Sequence, residues 1–355
     1  MLTRILGSST RQLSIAQLRI FRLAFGTAVS LWFSQLIGGS MSFVVPVLTM
    51  FILALPLPAL NLKQGVGFVL VLTGSLYAGL LLLPTLLHQP LVGIVLLVLS
   101  LFWSFYYTAK GGSAVFGTFA TVGIALATAV GSVSVDAVLA LVSAMGVAAV
   151  GGITFVYIAH AVLPDSLAIA PDAPPPQQEK KPDPPDLAAA RWSAFRSLLI
   201  VLPIAIWFLL SAASTAYVPV MLKVASMGQQ AATDATKSAG KSLILSTIIG
   251  GAAAIIGWQV LSIAPTLTIY VLFVALVGLV MGCRIFSGPA MHAQSATWSY
   301  AYLTMLVILA PAVMDGAGGG SAGIKFWERL VMFGGTAAYA SIAVYVVDAF
   351  RPRNI

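Results

Sequence analysis

The chain is a series of apolar segments separated by short polar or glycine- and proline-containing junctions. An α-helix needs about twenty consecutive apolar residues to cross the hydrocarbon core of a bilayer. Runs of that length leave no room for the alternating pattern of a membrane β-barrel. The pattern therefore predicts an all-α integral membrane protein with about twelve transmembrane helices. The predicted spans lie near residues 20–38, 42–60, 65–87, 90–109, 114–132, 137–162, 195–213, 216–233, 241–261, 265–284, 291–313 and 327–348.

The composition supports the same class of protein. Of the 355 residues, 59% are hydrophobic and 8% are charged, whereas about 25% of the residues of a soluble domain are charged. The net charge of +8 is dispersed along the chain, which indicates membrane topology and argues against nucleic-acid binding. Because Cys283 is the only cysteine, we expect no intrachain disulfide and no thiolate metal cluster.

A polar, proline-rich stretch from Pro164 to Asp186 divides the chain. Proline removes backbone donors and favours extended conformations, so this stretch predicts a solvated cytoplasmic linker. We expect a first six-helix membrane repeat over residues 1–163, with an interfacial helix at 5–17, then a linker over 164–190. A second six-helix membrane repeat is expected over 191–355.

The two halves resemble each other in sequence. Phe21-Arg22 returns as Phe195-Arg196, an offset of 174 positions, and the same offset relates Lys63 to Lys237 and Lys110 to Arg284. With the N-terminus inside, nearly all lysines and arginines fall in cytoplasmic loops, while Asp136 and Asp315 fall near the outer ends. Six spans per half then make the repeats parallel, with both termini in the cytoplasm.

Each half opens with a Phe-Arg helix and continues with a Pro-Val segment, VVPVL around Pro46 and YVPVML around Pro219. With twelve spans in two halves, this arrangement resembles the fusaric acid resistance superfamily of aromatic acid exporters. The resemblance implies a multi-pass protein of the bacterial inner membrane that exports aromatic carboxylates or related toxic compounds. It also implies a periplasmic adaptor protein of the membrane-fusion type as a partner.

Lys223 is the most informative candidate site residue. It lies inside the eighth predicted span, where the first half has Met50 at the aligned position. An ammonium near the membrane centre costs about 2.5–3.5 kcal/mol on insertion scales, so it needs a water-lined cavity or an anionic partner. Lys223 would attract the carboxylate of an exported acid; alternatively it snorkels to the surface or pairs structurally with an acid.

Two further groups of ionisable residues are candidates. The repeat-related cations could gather anions at the inner mouth of a path, or could serve only as topology determinants. Proton coupling needs a titratable group in or near the path. The substrate candidates are Arg22, Arg196, Lys110 and Arg284, and the proton-coupling candidates are His160, His292, Asp315, Glu328 and Asp348.

No hydrolase motif is present, and we expect neither enzymatic activity nor a cofactor or metal. Ala235–Ser242 loosely matches a phosphate loop, but such a loop needs a preceding strand, and here a span precedes it. The first functional hypothesis is a proton-coupled exporter of small aromatic organic acids, which could form a homo-oligomer. The alternatives are a passive anion channel on the same scaffold and a membrane anchor for an adaptor without transport.

Overall fold

The computed structural model confirms an all-α membrane protein. It describes residues 13–39, 41–55, 58–167, 187–210, 220–221, 223–225, 227–228, 239–286, 292–316 and 322–350, and these contain no extended strand. The helices are α1 (Ile15–Ile37), α2 (Val44–Leu53), α3 (Leu62–His88), α4 (Pro90–Ala109), α5 (Ala114–Gly131), α6 (Val135–Val162), α7 (Leu187–Leu210), α8 (Ala239–Ile263), α9 (Leu267–Phe286), α10 (His292–Gly316) and α11 (Ala322–Ala349).

Local sequence signals set several helix ends. Ser14 caps α1 because its hydroxyl accepts from the Gln17 N–H at 3.1 Å, while the Ser14 N–H donates to the Gln17 side chain at 2.9 Å. Pro90 occupies the first position of α4, where a missing N–H costs nothing. Gly38 follows α1 with a φ of 76°, a conformation that glycine adopts without a Cβ clash.

Nine helices of the described residues are long and apolar enough to cross a membrane, namely all those named except α2 and α5. The prediction of a full span over 42–60 is wrong: α2 has ten residues, about 15 Å at the helical rise, against a core of about 30 Å. Its residues are mostly buried, so protein surrounds it and it does not need the length that lipid would require. The predicted interfacial helix at 5–17 lies mainly outside the described residues, and its last three residues belong to α1.

Helix contacts between the halves are reciprocal. The first helix of the first half, α1, packs against α9, and the first helix of the second half, α7, packs against α4. Within the halves, α3 packs extensively against α5 and α8 against α10. The 174-residue offset maps α1 onto α7, α3 onto α8 and α4 onto α9, so each contact has its counterpart. The division into two parallel repeats remains a prediction that these contacts support.

Glycine permits the close approach of α1 and α9. A Cβ on Gly278 would come within 3.0 Å of the Ala24 Cα and 2.7 Å of the Tyr302 hydroxyl, and one on Gly282 within 3.2 Å of the Ile20 side chain. Small residues four apart let helix backbones approach closely in membranes. This interface joins the first half to the second.

Candidate functional site

Lys223 lies in the protein interior. The helical residues 220–221, 223–225 and 227–228, here called the Lys223 segment, are all buried, and Lys223 is 1% exposed. A Cβ on Gly228 would contact Val201 of α7 and Phe105 of α4, so the segment is packed against both helices. The alternative in which Lys223 snorkels to the surface is therefore wrong.

The Lys223 ammonium lies near the middle of α10. Its Nζ donates to Thr304 Oγ1 at 2.6 Å, and that hydroxyl donates to the Tyr300 carbonyl oxygen at 2.6 Å. Thr304 is at the centre of α10, about 18 Å from each end at the helical rise. Among the long apolar helices of the described residues, α10 is the most enclosed by protein. The charge thus lies at mid-depth, away from both predicted membrane surfaces.

The aligned position of the first half is also interior. Met50 of α2 is 1% exposed, and α2 packs against α10. Both halves therefore place buried helical residues beside α10, and only the second half brings a lysine there. Substrate sites of many secondary transporters lie near mid-depth, at the interface between repeats.

Arg22 and Arg196 occupy positions related by the 174-residue offset, and each makes an ion pair with an aspartate. The Arg22 Nη2 is 2.7 Å from Asp165 Oδ1, and its Nε donates to the Leu163 carbonyl at 2.6 Å. The Arg196 Nη2 donates to Asp348 Oδ2 at 2.8 Å, and its Nε lies 2.8 Å from Oδ1 of the same carboxylate. The first pair joins α1 to the 3-10 turn that follows α6, and the second joins α7 to the last turn of α11. In this conformation both arginines tie helices together.

Lys110 and Arg284 are exposed near the predicted inner ends of α4 and α9. The Lys110 Nζ is 5.6 Å from the ring centroid of Tyr106, and the Arg284 guanidinium carbon is 5.6 Å from that of Trp298. A cation over an aromatic face gains about 0.5–1 kcal/mol at an exposed site. Their positions suit both topology determination and anion attraction.

The proton-coupling candidates are scattered. Asp348 is paired with Arg196, and Asp315 lies 2.7 Å from Arg329 and 3.6 Å from Lys325 at the other end of α11. Glu328 is exposed. The ring Nδ1 of His160 lies 2.9 Å from the Val156 carbonyl, close to Arg22. His292 begins α10, and its side chain is outside the described structure. The described candidates do not form one cluster with Lys223.

The cavities differ in what they can hold. The one beside Arg22 and His160 has a volume of about 10 Å³, room for about one water, and no aromatic acid fits it. A groove of about 610 Å³ at the predicted inner side is lined by Lys241, Ser341, Tyr345 and Asp348. Another cavity, of about 430 Å³, lies at the predicted outer side among α1, α8, α9 and α10.

Sequence reasoning missed Gln35 and Tyr270, which line this outer cavity. No motif marks them, because their significance depends on which helices meet. It also missed Gly278 and Gly282, although their four-residue spacing is visible in the sequence and is a known signal of close helix packing.

The family model described as "Protein of unknown function (DUF2955)" matches residues 19–159. The matched region begins in α1 and ends in the last turn of α6, so it corresponds to the first six predicted spans. No curated protein and no solved structure matches the chain.

Proposed function

We propose that the protein is a secondary exporter of small aromatic organic acids. The observation that carries the proposal is the Lys223 ammonium at mid-depth, enclosed by protein and bonded to Thr304. A buried ammonium is expensive in a membrane and marks a substrate or ion pathway by default. A carboxylate arriving there would gain a charge-assisted hydrogen bond.

The short α2 and the Lys223 segment support a path between the halves. Both are enclosed by protein and both lie against α10. Irregular backbone at membrane depth is tolerated only where protein or water surrounds it. In this proposal α2, α10 and the Lys223 segment flank the route, and the reciprocal α1–α9 and α4–α7 interfaces hold the halves around it.

The proposal extends to the setting of the protein. Its resemblance to the fusaric acid resistance superfamily favours the bacterial inner membrane, cytoplasmic termini, coupling to the proton gradient and a periplasmic adaptor. The distribution of lysine and arginine supports the orientation independently. Under this orientation the outer cavity faces the exit side.

Efflux from reconstituted vesicles tests the proposal. Vesicles loaded with radiolabelled benzoate are given an acidic exterior, which holds benzoate inside protein-free vesicles because only the neutral acid permeates lipid. Wild-type protein should release benzoate while the pH gradient stands, and protein-free vesicles should retain it; an uncoupler, which collapses the gradient and frees benzoate from both, should abolish this difference. Lys223→Met should slow the release about tenfold or more, as expected for a lost hydrogen bond to a charged group.

Lys63→Met is the matched control, because Lys63 is exposed at the start of α3 and the chemical change is the same. It should leave efflux unchanged, and Lys223→Arg should retain part of it. Equal efflux by Lys223→Met and the wild type would contradict the assigned role of Lys223. Benzoate flux that follows the benzoate gradient regardless of pH would instead identify a passive anion channel. If neither the wild type nor any variant moved benzoate, the result would favour a membrane anchor for an adaptor protein.

A further inference from the structure

The groove of about 610 Å³ at the predicted inner side, here called the inner groove, lies between the first turns of α8 and the last turns of α11. Spacings of three and four residues place its lining residues on one face of each helix. Both helices end here, so the groove lies where the headgroups of a bilayer meet its hydrocarbon core. The lining residues are Lys241 and Ile244 of α8 and Ser341, Val344, Tyr345, Asp348 and Ala349 of α11.

The charged side chains of the inner groove are open to a ligand, and they leave one positive charge in excess. Lys241 is exposed, and the Asp348 side chain is 19% exposed. The two Asp348 oxygens each lie 2.8 Å from the buried Arg196 guanidinium, which compensates their charge. Among the described residues the Lys241 ammonium makes no ion pair. The groove therefore favours an anion.

Away from Lys241 the walls of the groove become apolar. Ile244 is 40% exposed, and Ile248 follows it one turn deeper on the same face of α8 and is 62% exposed. On the opposite side Val344 belongs to a buried cluster that joins α7, α8 and α11. Apolar side chains exposed at this depth lie against lipid chains in a bilayer. The groove is thus cationic at the membrane surface and apolar towards the membrane centre.

Tyr345 indicates the depth of the site. It lines the groove and is 80% exposed. Exposed tyrosines gather at the headgroup level of a membrane, where the apolar ring and the polar hydroxyl both find suitable surroundings. Lys241 and Asp348 therefore lie among the headgroups, and Ile244 lies beside the upper part of the acyl chains.

This polarity matches an anionic phospholipid better than a soluble anion or a zwitterionic lipid. A small carboxylate would use the ammonium and leave the apolar wall uncovered. A zwitterionic lipid would bring a second ammonium close to Lys241, whereas an anionic lipid brings only its phosphate. Basic pockets between transmembrane helices on the cytoplasmic side are common sites for anionic headgroups.

We propose that the inner groove binds an anionic phospholipid of the inner leaflet, with the phosphate on Lys241 and one acyl chain along Ile244. Headgroup hydroxyls, such as those of phosphatidylglycerol, would donate to the remaining lone pairs of the Asp348 carboxylate. Because Asp348 also holds Arg196, the lipid would rest against the ion pair that joins α7 to α11. The assignment does not depend on the proposed export function.

Lipid titrations of the purified full chain in detergent, followed by native mass spectrometry, test the proposal. This measurement separates chains with no lipid, one lipid and more, and it gives the affinity of the first lipid bound. The probes are phosphatidylglycerol and phosphatidylcholine with identical acyl chains, so that only the headgroup differs. Phosphatidylglycerol should bind about fivefold more tightly, as expected for one lysine near an anionic lipid surface.

Two pairs of variants separate a built site from general attraction to the membrane. Lys241→Met should abolish the preference for phosphatidylglycerol, whereas Lys63→Met, which removes the same charge from the exposed start of α3, should keep it. Ile244→Trp fills the groove without changing charge and should weaken binding of both lipids. Leu245→Trp places the same ring on the adjacent residue, which is 50% exposed and does not line the groove, and should bind normally.

Equal affinity of the wild type for the two lipids would overturn the proposal, as would undiminished phosphatidylglycerol binding in Lys241→Met or Ile244→Trp. Competition by benzoate would also overturn it, because the groove would then hold soluble anions. These outcomes are distinct from the export test: Lys223→Met should lose benzoate efflux and keep the lipid preference. A protein that prefers phosphatidylglycerol but moves no benzoate would retain this site and refute the exporter.

Discussion

At the scale of single residues, the two repeat-related arginines share a role but differ in surroundings. Both guanidinium groups are buried. The Asp165 side chain that pairs with Arg22 is 63% exposed, whereas the Asp348 side chain that pairs with Arg196 is 19% exposed. Water can replace an exposed partner, but a buried guanidinium that loses an enclosed partner is left uncompensated. The same substitution should therefore have unequal effects in the two halves.

We predict that Asp348→Asn lowers the free energy of unfolding by about 3 kcal/mol and that Asp165→Asn lowers it by less than about 1 kcal/mol. Added salt should reduce the small effect of Asp165→Asn and leave the effect of Asp348→Asn nearly unchanged, since only the exposed pair is strongly screened. Thermal unfolding of the purified variants in one detergent measures both. Equal destabilisation would mean that exposure of the carboxylate does not decide the strength of these pairs.

The sequence was informative about Lys223 because a cation inside an apolar run is conspicuous without any structure. It was uninformative about Gln35 and Tyr270, since an amide or a phenol is common at helix ends and only the assembled helices leave these two unpaired. It indicated the arginines but not their partners: Asp165 and Asp348 lie more than 140 residues from Arg22 and Arg196 along the chain.

At the scale of secondary-structure elements, hydrophobicity predicted the long helices well and α2 poorly. An apolar run reports that a segment avoids water, and lipid and protein interior satisfy that requirement equally. The run from 42 to 60 contains a ten-residue helix enclosed by other helices. Of the residues after it, 55 and 58–60 are described as non-helical, and Leu55, Pro58 and Leu60 line the small cavity near Arg22. Pro56 and Pro58 were the only local signs of an early end.

The α1–α9 contact offers a prediction at this scale. Gly278→Ala should destabilise the protein by about 1–3 kcal/mol, because the new methyl group meets the Ala24 backbone and the Tyr302 hydroxyl. Gly334→Ala is the matched control: Gly334 is exposed on α11 with nothing within 4 Å of a Cβ, so alanine should stabilise that helix by up to about 1 kcal/mol. The two substitutions should shift the thermal midpoint in opposite directions, Gly278→Ala downwards and Gly334→Ala upwards. An unchanged thermal midpoint in Gly278→Ala would mean that α1 and α9 are less tightly packed than the structure indicates.

At the scale of the whole molecule, the duplicated sequence and the reciprocal contacts point to one arrangement. A rotation that carries the first half onto the second should carry the α1–α9 interface onto the α7–α4 interface. The halves differ at Met50 and Lys223 and at the outer end of α11, where Asp315 pairs with Arg329. A two-fold frame around an unequal interior is what the proposed carrier function would require, since the halves of such carriers move against each other.

Engineered disulfides test this symmetry directly. A Cβ on Gly282 lies 3.6 Å from the Ile20 Cβ, within the range for a disulfide of about 3.5–4.5 Å. In a Cys283→Ser background, Ile20→Cys with Gly282→Cys should cross-link on oxidation. The 174-residue offset then predicts that Ala194→Cys with Thr108→Cys cross-links as well.

With a protease site inserted between residues 167 and 187, each disulfide should keep the cleaved halves together on a non-reducing gel and release them on reduction. Cross-linking of the first pair without the second would show that the halves are not related by the predicted rotation, because the two interfaces would then be built differently.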